Sequence, residues 1–487
     1  MTLFSRKLKT IMIFSVVFNF VASKANSSIT IESNDKILEI ASNILGISTE
    51  QYNTLEDLSV VEYASKNSLP KKDWTFIVYI SGDNDLRRFA IKSIKDLAKV
   101  GSTEHINLVV HLDIKLNGKK TTKRYYIKKD KILHLNKDEI ETQAMDSGNP
   151  KTLISFCDWA ISTFPADKYG LVLWDHGTGA LDPRTKQILD FYKFFTFNPI
   201  INKFEINRDV GLLDIISNQS SESRGICWDD STGNYLTNHD LGNALKKIYK
   251  KFLKKKKFEF IAFDACLMQM VEVISVVKQY AHKVIGSEEV ILGLSFPYDT
   301  ILKPFTKNTL TTDEFSKQIA YCYENFYKKI IDDYTLSVVD VAEFRSLEEN
   351  IDLVAKILIE CLKNQKNRTV KQAVAASRNR WICTNFAEPS FIDLHHFYQN
   401  LFKRIKDFEF KNAIQGDILK TQLKEALLDG CKIIEELTPI NVVGKKTGKA
   451  RGVSIYFPVD RIYYPYRSLQ FFKENSWALF LTQYLNL

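Results

Sequence analysis

The sequence predicts an α/β protein with a mostly parallel sheet flanked by helices. Three observations carry that reading. Trp74–Ile80 is a short apolar run closed by the polar turn Ser81–Asp85, a helical stretch follows from Leu86 to Val100, and Ile106–His111 is a second apolar run. Strand, helix, strand in that order is a βαβ unit, whose strands lie parallel. Two further runs, Tyr169–Trp174 and Phe258–Phe263, are equally apolar and end abruptly in polar residues. Continuous apolar strands of this kind are buried on both faces, as a helix-covered parallel sheet requires.

The 487 residues suffice for a large α/β unit with additions. The formal charge of +9 is the difference between 67 basic and 58 acidic residues, and much of the excess lies in lysine runs such as Lys250, Lys251 and Lys254–Lys257. These read as a solvated face; with no recognisable module beside them, nucleic acid is not expected as a partner. Seven cysteines are scattered without a Cys-x-x-Cys pair, so neither a zinc site nor a dense disulfide framework is expected.

Taken in order, Arg6, Lys7 and Lys9 precede the apolar run Ile11–Val21 and the small residues Ala22, Ser23 and Ala25. That is the pattern of a signal peptide over residues 1–25, predicting a secreted or periplasmic protein with no membrane span after its removal. Residues 26–72 form a polar extension, either a propeptide or a cap, with one helical patch around Ile37–Leu45. The main domain is expected over 73–343. Within it, Lys123–Asn136 alternates like a hairpin, Lys151–Phe164 is helical, and Ala180–Gly225 is a long insertion rich in aromatics. Loops of that length are commonly functional. Thr237 caps a helix reaching about Phe252. After the Phe258–Phe263 strand, Met268, Val271, Ile274 and Val277 recur at helical spacing, which predicts a helix from Leu267. Lys283–Gly286 and Leu336–Val341 read as strands, with a loop from Ser287 to Asp299 and a helix from Thr312 to Ile331. Beyond 343 helices dominate (345–363, 394–405, 413–437), with a late strand at 452–457 and a closing helix at 469–485.

Cys266 is the candidate nucleophile. It stands where strand gives way to the predicted helix, at the sheet edge where α/β proteins place reacting groups. A helix N-terminus there would favour its thiolate. A thiol nucleophile needs a basic partner. Of eight histidines, His105, His134 and His282 read as structural or exposed, His239 falls in a first helical turn, and His395 and His396 have no third ligand for a metal. His111 is near a strand end. His176 ends an apolar strand in a glycine-rich turn, the topological counterpart of Cys266. Gly177 allows close backbone approach, and its N–H with that of Cys266 is a candidate oxyanion hole.

Asp175-His176-Gly177 and Asp264-Ala265-Cys266, together with WTFIVYISGDNDL, ICWDDSTGNYLT, FDACLM and IGSEE, resemble the clostripain family of cysteine peptidases over about Asp73–Thr300. The resemblance implies a caspase-like three-layer sandwich and an endopeptidase that cleaves after Arg, or Lys, with Cys266 as nucleophile and His176 as general acid/base. Asp264, two residues before Cys266 and on its face, would pair with the basic side chain of the substrate; the alternative is a cap on the following helix. Asp299 is a second acid for that pocket, and Asp175, facing the other way, is left out of the dyad. The family is made as zymogens cut between the two catalytic strands, which makes Lys186, Lys203, Arg208 and Arg224 candidate cleavage points and a folded lid the alternative. No cofactor is required; calcium is used by some relatives, and Asp83 and Asp85 form an acidic turn without a full ligand series. The rival reading is a catalytically silent relative, or a surface protein, that binds basic peptides.

Overall fold

The computed structural model describes residues 28–487, apart from 56–57, 64–68, 117, 136–143, 182–189 and 218–224. The signal peptide expected at 1–25 and the cleavage points Lys186 and Arg224 lie outside the described residues.

Five strands are parallel and adjacent at the centre of a ten-stranded sheet: Ala281–Gly286, Phe258–Asp264, Ala166–Trp174, Lys72–Gly82 and Ile106–Leu116. Their middle residues, from Phe76 to Ile80 and from Phe260 to Phe263, are wholly buried, which is why the apolar runs are unbroken. Thr335–Asp340 and then Ile440–Val443 extend one side antiparallel, while the hairpin Lys119–Lys128 and Lys131–Leu135 extends the other. Ser59–Tyr63 closes that second edge, parallel to Lys131–Leu135. The sheet therefore does not respect the boundaries expected at 73 and 343. It takes an edge strand from the N-terminal extension and another from the C-terminal region, because each edge leaves backbone groups that a further strand can pair.

Helices Arg87–Val100, Tyr298–Leu302 and Thr312–Tyr327 pack as one layer, and Pro150–Thr163, Asn238–Lys251 and Val271–Val277 as another. Their starts are written in the sequence. Asn149 caps the helix opened by Pro150, the Thr237 side chain accepts from Asp240 N–H, and Thr311 with Glu314 forms a capping box. Each such cap contributes roughly 1 kcal/mol. The C-terminal helices Phe344–Asn364, Leu394–Arg404, Ala413–Leu437 and Trp477–Asn486 pack on one another, and the short strand Ser454–Tyr456 pairs with Phe391–Asp393.

The helix expected from Leu267 begins instead at Val271. Leu267 takes a left-handed φ of 62°. From there the chain runs alongside the 287–289 segment, with Leu267 N–H donating to Glu289 O and Gln269 N–H to Ser287 O. The described part of the insertion, residues 190–217, is folded. Phe195–Asn198 and Lys203–Ile206 form a hairpin, Ile29–Thr30 of the N-terminal extension pairs with its first strand, and Leu212–Ser217 is helical.

Candidate active site

The strands Ala166–Trp174 and Phe258–Asp264 run side by side with Trp174 opposite Asp264. Asp175 N–H donates to Asp264 O, so the ladder continues one step past the named strands. The turns that follow, carrying His176 and Cys266, therefore leave the same sheet edge together. Gly177 lies directly against the cysteine: a Cβ there would sit 2.3 Å from Cys266 O and 3.1 Å from Cys266 N. Any larger residue would push the two turns apart, which is the physical reason for glycine after the histidine.

His176, Cys266 and Asp264 line one cleft with Asn34, Phe191 and Ile291, and its free volume is about 20 Å³. The cleft is closed. The Cys266 thiol is buried, receives a hydrogen bond from Ile291 N–H at 3.2 Å and donates to Ile291 O at 3.5 Å. Burial pushes its pKa up to about 12, and the nearby carboxylates Glu289 and Asp264 push the same way. The helix N-terminus expected beside the thiol is not there, since the helix starts at Val271.

His176 is enclosed by aromatic rings. Phe191, from the insertion, stacks on the imidazole with centroids 4.1 Å apart and planes 8° from parallel, and Trp228 tilts against it at 5.7 Å. His176 Nε2 donates to Asp85 Oδ1 at 2.7 Å. Burial opposes the imidazolium, but the attraction and hydrogen bond of Asp85 outweigh it and the pKa is raised. Asp85 belongs to the acidic turn noted in the sequence, where only a calcium role was considered. The spacing gave no sign that it meets a histidine 91 positions away. Its neighbour Asp83 pairs with Lys120 at 3.0 Å, so the two carboxylates of the turn serve different partners. Among the described residues no cluster of three or more metal-ligating side chains could hold a metal ion.

Asp264 sits in the wall of the cleft. Its Oδ2 accepts from Tyr298 OH at 2.8 Å and Phe296 N–H at 3.1 Å, and also from Ser295 Oγ. Burial raises its pKa to about 6. It does not cap the following helix, which begins seven residues on; it anchors the 295–298 loop instead. Asp299 is not in the cleft. It pairs with Lys99 at 3.6 Å and lines a separate cavity beside Tyr52 and Cys322, because Tyr298, which binds Asp264, turns the next side chain away. Asp175 bonds Asn84 at 2.8 Å and Trp228 N–H rather than the imidazole. Burial pushes its carboxyl up to about 8. The remaining histidines are elsewhere: His111 stacks on Tyr79 in the core and His395 pairs with Glu435.

The clostripain family model matches residues 78–196 and 214–483, which include both His176 and Cys266. The chain belongs to the clostripain family. Clostripain of Hathewaya histolytica is 26% identical over 322 residues, an alignment spanning 60% of this chain and 53% of that protein, about half its length. A secreted cysteine protease from Bacteroides thetaiotaomicron, solved with an irreversible peptide inhibitor, superposes with a TM-score of 0.53 at 19% identity, covering 84% of this chain and 99% of the other. An inactive zymogen protease from Parabacteroides distasonis superposes with a TM-score of 0.51 at 20% identity, covering 83% and 99%. The structural likenesses establish the expected caspase-like sandwich.

Proposed function

We propose that this protein is an exported cysteine endopeptidase that cleaves after Arg or Lys, and that the closed cleft is its unprocessed state. The observation that carries the reading is the meeting of Cys266, His176 and Asp264 in one cleft at the end of two adjacent strands. In the open enzyme the Cys266 proton passes to His176 and the sulfur attacks the carbonyl carbon after the basic residue. The Gly177 and Cys266 N–H groups receive the developing oxyanion. The C–N bond then breaks, the imidazolium gives its proton to the leaving amine, and a thioester remains. Water, deprotonated by His176, hydrolyses the thioester and restores the thiol. Asp264 supplies the negative charge for the basic side chain.

Processing within 180–225 would remove the ring that covers His176. Of the four candidate cleavage points, Lys203 lies in a strand and pairs with Asp332 at 2.6 Å, while Arg208 reaches Glu289 at 2.8 Å and Asp333 at 3.0 Å. Both are tied down, which directs the proposal to Lys186 and Arg224. Among the described residues no helix is long and apolar enough to cross a membrane; export rests on the N-terminal sequence pattern.

The test is hydrolysis of fluorogenic peptides ending in Arg, Lys or Asp by the protein without residues 1–25, before and after limited proteolysis of the insertion. Calcium or a chelator is added in parallel, with Cys266→Ala as control. Cleavage after Arg or Lys that vanishes in Cys266→Ala supports the proposal. Cleavage after Asp alone removes the role given to Asp264, and a rate abolished by the chelator adds a metal requirement. Tight binding of basic peptides without hydrolysis identifies a silent relative.

A further inference from the structure

Both oxygens of the Asp85 carboxylate are committed. Oδ1 receives His176 Nε2–H at 2.7 Å, and Oδ2 receives the Asn34 side-chain amide at 2.6 Å. Asn34 is the first residue of the helix Asn34–Leu45 in the N-terminal extension, and it lines the cleft with Cys266. We infer that Asp85 is the positioning residue of His176 and that Asn34 fixes Asp85 in turn, so that the N-terminal segment is a working part of the catalytic apparatus. The inference rests on the peptidase reading for its kinetic consequences but not for its structural ones.

A histidine that exchanges a proton with a thiol must present one nitrogen to the sulfur in one tautomer. A carboxylate accepts only, so Asp85 holds the proton on Nε2 and leaves Nδ1 as the exchanging nitrogen. The same charge supports the imidazolium that forms when Cys266 gives up its proton. Asp175 and Asp230 also face the imidazole electrostatically, and Asp85 adds a direct hydrogen bond to the ring nitrogen Nε2.

The turn that carries Asp85 is itself braced. Asn84 bonds Asp175 and the Trp228 carbonyl, Asp83 O accepts from Asp230 N–H, and Asp83 pairs with Lys120. What this bracing leaves to be set is the Asp85 side chain, which is 26% exposed. Asn34 sets it from the cleft side. The helix that carries Asn34 is held by the burial of Ile37, Leu38 and Ala41, by the Ser33 cap, and by Asp35 pairing with Arg88 at 3.0 Å next to the Asp85 turn. Among the described residues of the extension, Asn34 is the buried side-chain amide, and it sits on the carboxylate behind His176.

The experiment uses Asp85→Asn, Asp85→Glu and Asn34→Ala in the full chain without residues 1–25, with thermal melts confirming the fold. Asp85→Asn should lower kcat by about 10- to 100-fold, the loss of one charge-assisted hydrogen bond, with KM little changed. The limb of the pH–rate profile set by His176 should move to lower pH, and Asp85→Glu should recover part of the rate. Independently of activity, the His176 ring resonances in a Cys266→Ala background should titrate at lower pH once Asp85→Asn is added. Asn34→Ala should lower kcat several-fold with KM retained. An active wild type whose rate and His176 titration ignore Asp85→Asn overturns the role of Asp85. A rise in kcat for Asn34→Ala would make Asn34 an obstruction and overturn its role. If the wild type itself hydrolyses nothing after processing, the peptidase reading fails while the resonance titration still decides whether Asp85 controls His176.

Discussion

Replacing Glu272 by Gln should stabilise the protein at alkaline pH, and the size of the effect follows from its surroundings. Glu272 lies in the first turn of the helix that follows the cysteine turn and is 1% exposed. One oxygen accepts from Tyr456 N–H at 3.0 Å and Tyr466 OH at 2.7 Å, which ties the C-terminal region to the catalytic edge. The other oxygen is buried without a hydrogen-bond partner. Burial raises the carboxyl from 4.5 to about 7 against the opposing pull of those two donors. A raised acid contributes fully below the unfolded value and loses its contribution as pH climbs through the folded one. The unfolded chain releases the proton first, so the folded state falls behind by roughly 1.4 kcal/mol for each pH unit between about 4.5 and 7, about 3 kcal/mol in all. Gln keeps an acceptor for Tyr456 and Tyr466 and carries no titrating proton. Urea unfolding of wild type and Glu272→Gln at pH 5, 6, 7 and 8 should give a difference that grows in the variant's favour up to pH 7 and is flat above it. Parallel curves would show that Glu272 is already ionised in the fold, and the argument from burial would be wrong.

Three other perturbations test the site and its cover. Gly177→Ala must move the Cys266 backbone, since its Cβ would meet Cys266 O at 2.3 Å; displacement on this scale should cost on the order of 100-fold or more in kcat of the processed enzyme with melting changed little, and near-normal kcat would rule out tight apposition of the turns. Phe191→Ala removes the ring stacked on His176, so iodoacetamide should alkylate Cys266 several-fold faster in the uncut chain, and an unchanged rate would place the barrier at Ile291 instead. Arg208→Met strips the guanidinium from Glu289, which is wholly buried, and Asp333. Asp333 keeps Lys446 at 3.6 Å, so the cost falls on Glu289; leaving such a buried charge unpaired costs about 3 kcal/mol, read as a lower urea midpoint, and no change would mean that its other contacts already compensate it.

The central sheet was legible because its signal is local. Phe258–Phe263 and Tyr169–Trp174 announce strands by composition, and their abrupt polar endings fix the edge at which Cys266 and His176 emerge. The hairpin near Lys123–Asn136, the Thr237 cap and the long helix Ala413–Leu437 were equally plain, since each rests on a periodicity or a cap that needs no distant partner. What failed was set by contacts far along the chain. Met268 keeps helical spacing with Val271 and Ile274, yet pairing with 287–289 holds residues 266–270 out of the helix. Periodicity reports which residues are buried and is blind to where the first helical turn closes. Ile440–Val443 became a strand by pairing with Thr335–Asp340, and Asp85 met His176 through a tertiary fold that no spacing encodes.

That displaced helix start bears on how the thiol would be activated. With four residues between Cys266 and the helix, the helix dipole offers the sulfur little, and the field falls off within the first turn. The largest cause of the raised thiol is burial, and the same holds for the raised Asp264 carboxyl. Both therefore respond to one change. Admitting water to the cleft lowers the desolvation penalty on the sulfur and on the carboxylate together, and it leaves the Asp85 bond to His176 in place to receive the proton. On the proposed reading, a cover made of Phe191 and the hairpin behind it acts on Cys266 and Asp264 at once, whereas a cover over His176 alone would leave the thiol to be activated by some separate means. On that reading the described part of the insertion and the helix start at Val271 act together: hydration of the cleft, rather than a helix dipole, would separate a resting thiol from a reactive one.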